Sequence, residues 1–372
     1  MKNYKELEQF YKGKKVLLTG HTGFKGSWLC MILKEFGAKV IGASLEPPTT
    51  PSLFEIAGIS EMVTSYTVDV RNFELLRKIF EKEQPEIVIH MAAQPIVRES
   101  YKNPVLTYET NVMGTVHVLE CSRLTSSVKS VVNVTTDKVY RNNEWERGYV
   151  ETDELDGYDP YSNSKSCSEL VTHSYVQSFF REAGIPVSTC RAGNVIGGGD
   201  FATDRIIPDC VRAAEKGKDI FVRNPTSTRP YQHVLEPLFA YLMIAMEQYS
   251  NYSIAGSYNI GPDDCNCVTT GELVDLFCKI WNSSMKPISW ICQSDGGPHE
   301  ANFLKLDCTK FKSTFGWYSK WNVKESIEKI VEFETFRVVS RSSEERSRVL
   351  LECIKKQIEE YTIGQNGDIE EK

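Results

Sequence analysis

At 372 residues the chain is long enough for one large domain, or two closely packed ones, around a substantial buried core. Hydrophobic residues at 41% and charged residues at 25% are ordinary for a globular protein, and a net charge of -7 leaves no basic excess to neutralise a nucleic-acid backbone. The polar, mixed-charge start Met1–Glu8 is no signal peptide, and no apolar run reaches the ~20 residues that span a bilayer, so a cytoplasmic protein without membrane or nucleic-acid partner is expected.

The eleven cysteines follow no disulfide-framework spacing and read as reduced thiols. Cys265 and Cys267 stand close together but lack a second ligand pair, so no metal site is expected.

In chain order, the first half alternates short β-branched runs with amphipathic stretches, the pattern of an α/β, Rossmann-type doubly wound parallel sheet. Lys15–Thr19 is the first predicted strand, followed by a glycine turn and a helix over about Ser27–Phe36. Further strands are predicted at Lys39–Ser44, ending near Val68-Asp69-Val70, at Glu86–His90, Ser130–Val134 and Val187–Arg191. Two helices, Leu106–Cys121 and Tyr161–Phe180, flank the fifth strand. Residues 1–190 thus form a dinucleotide-binding domain. From Arg191 the alternation breaks down, and 191–336 reads as a smaller substrate-binding lobe over the carboxyl edge of the sheet. Residues 337–372 are a charged tail, expected to be a solvated helix with a frayed end.

The turn Gly20-His21-Thr22-Gly23-Phe24-Lys25-Gly26 lies between a strand and a helix, the context that gives a glycine motif its meaning. Gly20, Gly23 and Gly26 respectively suit a tight turn, close approach of backbone to a pyrophosphate and tight helix–strand packing. The helix N-terminus then offers N–H groups and a positive dipole end to the phosphates. An acid at the end of the second strand would bond a ribose hydroxyl and select NAD. Here Ser44 holds that place and Glu46 is the nearest carboxylate, while no arginine stands ready for a 2′-phosphate, so NAD is the expected cofactor.

Tyr161 and Lys165 form a Y-x-x-x-K pair at the start of a helix, on one face. A free tyrosine has a pKa of about 10, and a nearby ammonium favours the phenolate, which would make Tyr161 a base near neutrality. About 25 residues earlier, the fifth strand ends in Thr135-Thr136-Asp137-Lys138, an acid and a cation directly after a hydroxyl.

The spacing G-x-x-G-x-x-G resembles the short-chain dehydrogenase/reductase superfamily. Gly20–Leu29, Leu45–Thr49, Thr136–Lys138, Tyr158–Lys165, Arg191–Asp200, Arg223–Pro225, Arg229–Pro237 and Pro298–Ala301 narrow the resemblance to its nucleotide-sugar dehydratase branch, the CDP-glucose 4,6-dehydratases, over residues 10–335. The resemblance implies oxidation at C4 of a nucleotide hexose, loss of water across C5 and C6, and return of hydride to C6. Thr136 would bond the sugar hydroxyl and Tyr161 with Lys165 would serve the oxidation. Asp137 would protonate the departing hydroxyl, and Lys138 would act either as base or as electrostatic stabiliser. Thr22, Phe24, Asp69, Val70, Ala92 and Ala93 join the glycines as expected cofactor contacts. Gln94, Ser100, Asn194, Arg205, Arg229 and His299 are expected on the substrate, with Asn194 and Arg229 on its diphosphate. A homodimer through the Leu106–Cys121 and Tyr161 helices is also implied. A 4-epimerase, or a dehydratase of another nucleotide hexose, is the alternative.

Overall fold

The computed structural model describes residues 4–293 and 304–363, so His299 and its motif lie outside the described residues. The apolar runs assemble a seven-stranded, wholly parallel sheet: β1 (Lys15–Thr19), β2 (Lys39–Ser44), β3 (Thr64–Thr67), β4 (Ile87–His90), β5 (Ser130–Val134), β6 (Val187–Ala192) and β7 (Ser257–Ile260). Their spatial order is β7-β6-β5-β4-β1-β2-β3. The order reverses between β1 and β4, and such a switch point opens a crevice at the carboxyl ends of the strands. Strands β1, β4, β5 and β6 are almost entirely buried, which explains their uninterrupted apolar character.

Five of the seven strands fall where the sequence places them, and β3 is the adjusted one. It stops at Thr67 because Asp69 turns the chain, its carboxylate accepting from the Arg71 N–H at 2.9 Å. The seventh strand is new. Tyr258 pairs with Cys190, so a segment well past residue 191 completes the central sheet.

Helix α1 (Tyr4–Tyr11) and the dinucleotide helix α2 (Phe24–Glu35) pack on one side of the sheet. Helix α3 (Phe73–Glu83) and helix α4 (Gly114–Leu124) pack on the other. The stretch predicted as one helix over Leu106–Cys121 is Pro104–Tyr108, a π-helical turn Glu109–Met113, and then α4. Helix α5 (Pro160–Tyr175) carries Tyr161 and Lys165. Helix α6 (Leu235–Ser250) is buried almost all round and seats Tyr11, whose hydroxyl donates to the Leu242 carbonyl at 2.8 Å.

The described part of the tail, up to residue 363, is not a solvated helix. Helix α7 (Val323–Val339) leads into α8 (Ser343–Ile363), which buries Leu350, Cys353, Ile354, Gln357, Ile358 and Tyr361 at helical spacing against α7 and α2. Charge on the other face of α8 masks that stripe in the sequence.

Candidate active site

A cleft of about 1370 Å³ opens at the carboxyl edge of the sheet. Gly20, Thr22, Gly23, Phe24 and Gly26 line one end of it. Gly20 has φ +77°, and a Cβ there would meet the Ala92 nitrogen at 2.8 Å. At Gly26 a Cβ would meet the Gly20 oxygen at 2.2 Å, so only hydrogen lets α2 close on the turn. Gly23 caps α2 with no side-chain hydrogen bond, leaving the helix N-terminus to the cleft. These features fit a dinucleotide pyrophosphate.

The remaining dinucleotide positions differ in detail from expectation. Ser44 is buried, with its Oγ 2.9 Å from Thr22 Oγ1, and Glu46 accepts from Thr67 Oγ1 at 2.9 Å. Both line the cleft, together with Asp69, Val70, Ala92 and Ala93. Hydrogen bonds from Arg71 hold the Asp69 carboxyl below its ordinary pKa, and the pair closes at 2.7 Å. His21 is buried and hydrogen-bonds Ser65, and burial pushes its pKa down to about 4. Its ring fits because residue 42 is glycine, where a Cβ would lie 2.2 Å from His21 Cδ2.

The catalytic candidates come together. Asp159 caps α5 by accepting from the Ser162 N–H at 3.0 Å, and Pro160 starts the first turn, which sets Tyr161 at the cleft wall. Thr136, Asp137 and Lys138, where the chain leaves β5, line the same cleft. Asp137 Oδ1 accepts from Thr136 Oγ1 at 2.9 Å, and Oδ2 accepts from Asn194 Nδ2 at 3.2 Å.

Lys165 departs from expectation. Its Nζ donates to the Val134 carbonyl at 3.1 Å, and burial pushes its pKa down to about 8 against the pull of Glu169. Tyr161 is pushed up to about 12 by burial, with Asp137 adding to the rise while a Thr136 hydrogen bond and Arg205 oppose it. Spacing alone suggests a phenolate stabilised by Lys165. Burial of the phenol raises its pKa instead, and the Lys165 ammonium is bonded to the Val134 carbonyl.

On the substrate side, Asn194, Arg205 and Arg229 line the cleft. Arg205 pairs with Asp200 at 2.8 Å, and Arg229 donates to the Thr228 carbonyl at 2.9 Å. Gln94 and Ser100 are engaged elsewhere. Ser100 is buried and donates to the Val97 carbonyl at 2.7 Å. Gln94 donates from Nε2 to Thr107 Oγ1 at 2.9 Å and accepts from the Ile96 N–H at 2.7 Å, bracing the loop after β4.

Lys25 is a site residue that the motifs do not single out. It lines the cleft, donates to the Tyr241 hydroxyl at 2.8 Å and has a pKa pushed down to about 7 by burial, then by Lys165 and Arg205. Its one signal in the sequence is a lysine inside the glycine turn.

The family described as GDP-mannose 4,6 dehydratase matches residues 17–330. The CDP-glucose 4,6-dehydratase of Salmonella typhimurium (strain LT2) is 45% identical over 360 residues, spanning 95% of this chain and 98% of that protein. That share exceeds residues 10–335, so the likeness runs into the tail. Among solved structures, the dTDP-glucose 4,6-dehydratase of Bacillus anthracis in complex with NAD superposes with TM-score 0.71 at 22% identity, covering 86% of this chain and 96% of that one. The Thermus thermophilus UDP-glucose 4-epimerase complex with NAD gives TM-score 0.73 at 24% identity, covering 86% and 98%. The two structures share the fold of this chain.

Proposed function

The chain belongs to the GDP-mannose 4,6-dehydratase family, and from that membership we propose that it dehydrates CDP-D-glucose to CDP-4-dehydro-6-deoxy-D-glucose with NAD as cofactor. The observation that carries this reading is the meeting of Thr136, Asp137, Lys138 and Tyr161 in the cleft that holds the glycine turn. An oxidation at C4 alone needs Thr136 and Tyr161, whereas loss of water also needs an acid, and Asp137 stands beside them. The choice of CDP rests on likeness to the Salmonella enzyme over nearly the whole of both chains.

NAD held at Gly20, Gly23 and Gly26 would supply the hydride acceptor for C4 and the hydride donor for C6. Tyr161 takes the proton of the C4 hydroxyl, which Thr136 orients. Lys165, anchored on the Val134 carbonyl, keeps further N–H donors for the nicotinamide ribose. Lys138 takes the C5 proton that the C4 ketone has made acidic and later returns it to C5, and Asp137 gives its proton to the C6 hydroxyl as that group leaves as water. Lys138 brings positive charge to the enolate formed between these steps. Arg229 takes the diphosphate, for which a guanidinium fork is suited.

The protein pairs as a dimer through the α4–α5 side. Val105, Tyr108 and Met113 are exposed there around a shallow apolar hollow that also includes Cys167.

Incubation with CDP-, dTDP-, GDP- and UDP-hexoses tests the whole reading. Turnover of CDP-glucose alone to an alkali-absorbing keto-deoxy sugar, without net NAD consumption, is expected. A 4-epimer as product would overturn it, as would full turnover by Tyr161→Phe.

A further inference from the structure

Asp137 is held more firmly than a proton donor on a loop would need for folding. Its side chain is buried, and each carboxylate oxygen has its own donor: Thr136 Oγ1 on Oδ1 at 2.9 Å and Asn194 Nδ2 on Oδ2 at 3.2 Å. The third wall is backbone. A Cβ on Gly193 would fall 1.9 Å from Asp137 Oδ2, so the carboxylate lies directly on a glycine that no other residue could replace without moving it.

The segment that presents Asn194 is fixed in turn. Asn194 has φ +49°, a left-handed conformation that residues with a Cβ rarely adopt. Its carbonyl accepts from the Gln232 N–H at 3.2 Å, while Gln232 Nε2 donates to the carbonyls of Gly193 at 3.3 Å and Ile260 at 3.0 Å. Gln232 and Val195 are paired strand residues, so the second part of the chain aims the Asn194 amide at Asp137 across 57 residues of sequence.

We infer that Asn194, seated by Gly193 and Gln232, is a positioning residue for the dehydration step: it turns the Asp137 carboxyl toward the departing C6 hydroxyl. This rests on Asp137 being the proton donor. It adds to the expectation that Asn194 serves the substrate diphosphate, because one amide N–H is given to Asp137 and the amide carries two. A general acid works only from within hydrogen-bond reach and in one orientation, and a carboxyl bonded on both oxygens has its plane set before substrate arrives.

The two roles separate kinetically. Removing a phosphate contact raises KM and leaves kcat, whereas misaiming an acid lowers kcat. The test is Asn194→Gly in the NAD-loaded enzyme with CDP-glucose; glycine accepts φ +49° and so keeps the backbone. We expect kcat to fall roughly ten- to a hundredfold, a loss that removal of a phosphate contact alone would not give. In a single turnover, reduced-nicotinamide absorbance should build up, since C4 oxidation continues while loss of water slows. Gly193→Ala, which crowds Asp137 without removing a polar group, should give the same transient.

A raised KM with unchanged kcat and no transient in Asn194→Gly would overturn the inference. Asp137→Asn, run alongside, checks the reading beneath it: loss of product with a persistent transient is expected. Native turnover by Asp137→Asn would overturn the assignment of the acid itself, an outcome distinct from failure at Asn194.

Discussion

The Arg191 guanidinium and the Glu169 carboxylate meet at 2.9 Å with both side chains closed off from solvent. Glu169 lies one helical turn beyond Lys165 on α5 and also accepts from Thr189 Oγ1 at 2.6 Å, while Arg191 donates to the Tyr140 hydroxyl at 2.7 Å. The pair therefore joins the helix carrying Tyr161 to strand β6 and to the chain just after Asp137. Burial works against the charge of Arg191, but Glu169 and Tyr140 raise its pKa overall.

Breaking this pair on one side should cost about 3–5 kcal/mol, because a buried charge is left without its partner. Arg191→Met and Glu169→Gln should each show that loss in denaturant unfolding. The double variant should lose clearly less than the sum of the two. Additive losses would mean the two groups do not act as a pair.

Lys25 and Lys165 predict a pH dependence of stability. Both pKa values are lowered in the folded protein, to about 7 and about 8, from an ordinary 10.5. Below pH 7 the folded and unfolded chains both carry these charges, so the burial penalty is fully present. Between about pH 7 and 10.5 the folded state sheds protons that the unfolded state keeps, and these two groups make stability rise with pH. Lys25→Met should therefore raise Tm, by more at about pH 6 than at about pH 9. A Tm gain independent of pH would show that Lys25 is not the titrating group.

Among the polar contacts of the tail helix, one lies inside an aromatic cluster. Tyr361 donates to Glu236 Oε2 at 2.7 Å, and Glu236 Oε1 accepts from the Lys320 and Trp321 N–H groups at 2.9 and 2.8 Å. The Tyr361 ring stacks on Phe239 at 4.8 Å and meets Trp321 edge-on at 5.3 Å. Tyr361→Phe keeps the rings and removes the donor, so about 1–3 kcal/mol should be lost in chemical unfolding. Unchanged stability would mean that the Glu236 oxygen gains nothing from Tyr361.

The apolar hollow between Val105, Tyr108 and Met113 should lie at a subunit contact. Val105→Glu would place a charge in it, and the molar mass by light scattering should fall from dimer to monomer. A dimer that persists in Val105→Glu and Met113→Glu alike would put the contact on another face.

Features set by neighbours along the chain are legible in the sequence itself. The glycine turn is one such feature, since the positive φ of Gly20 and the closeness of Gly26 to the Gly20 carbonyl arise within a single strand–turn–helix unit. The Tyr161–Lys165 pair and the Thr136-Asp137-Lys138 run are others, and five strands are readable because buried parallel strands are uniformly apolar. Sequence also determines the family, through motifs spread along most of the chain.

What tertiary structure alone decides are relations between distant residues. Only packing shows that Lys165 bonds Val134, that burial raises the pKa of Tyr161, and that Ser257–Ile260 completes the sheet. The tail cannot be placed from its charged sequence, since its contact with Glu236 spans 125 residues. Asn194 is the sharpest case. Its amide could serve a phosphate or a carboxylate equally well by chemistry. That it reaches the carboxylate is shown by a backbone turn at φ +49° and a bond to Asp137, neither of which leaves any periodic trace in the sequence.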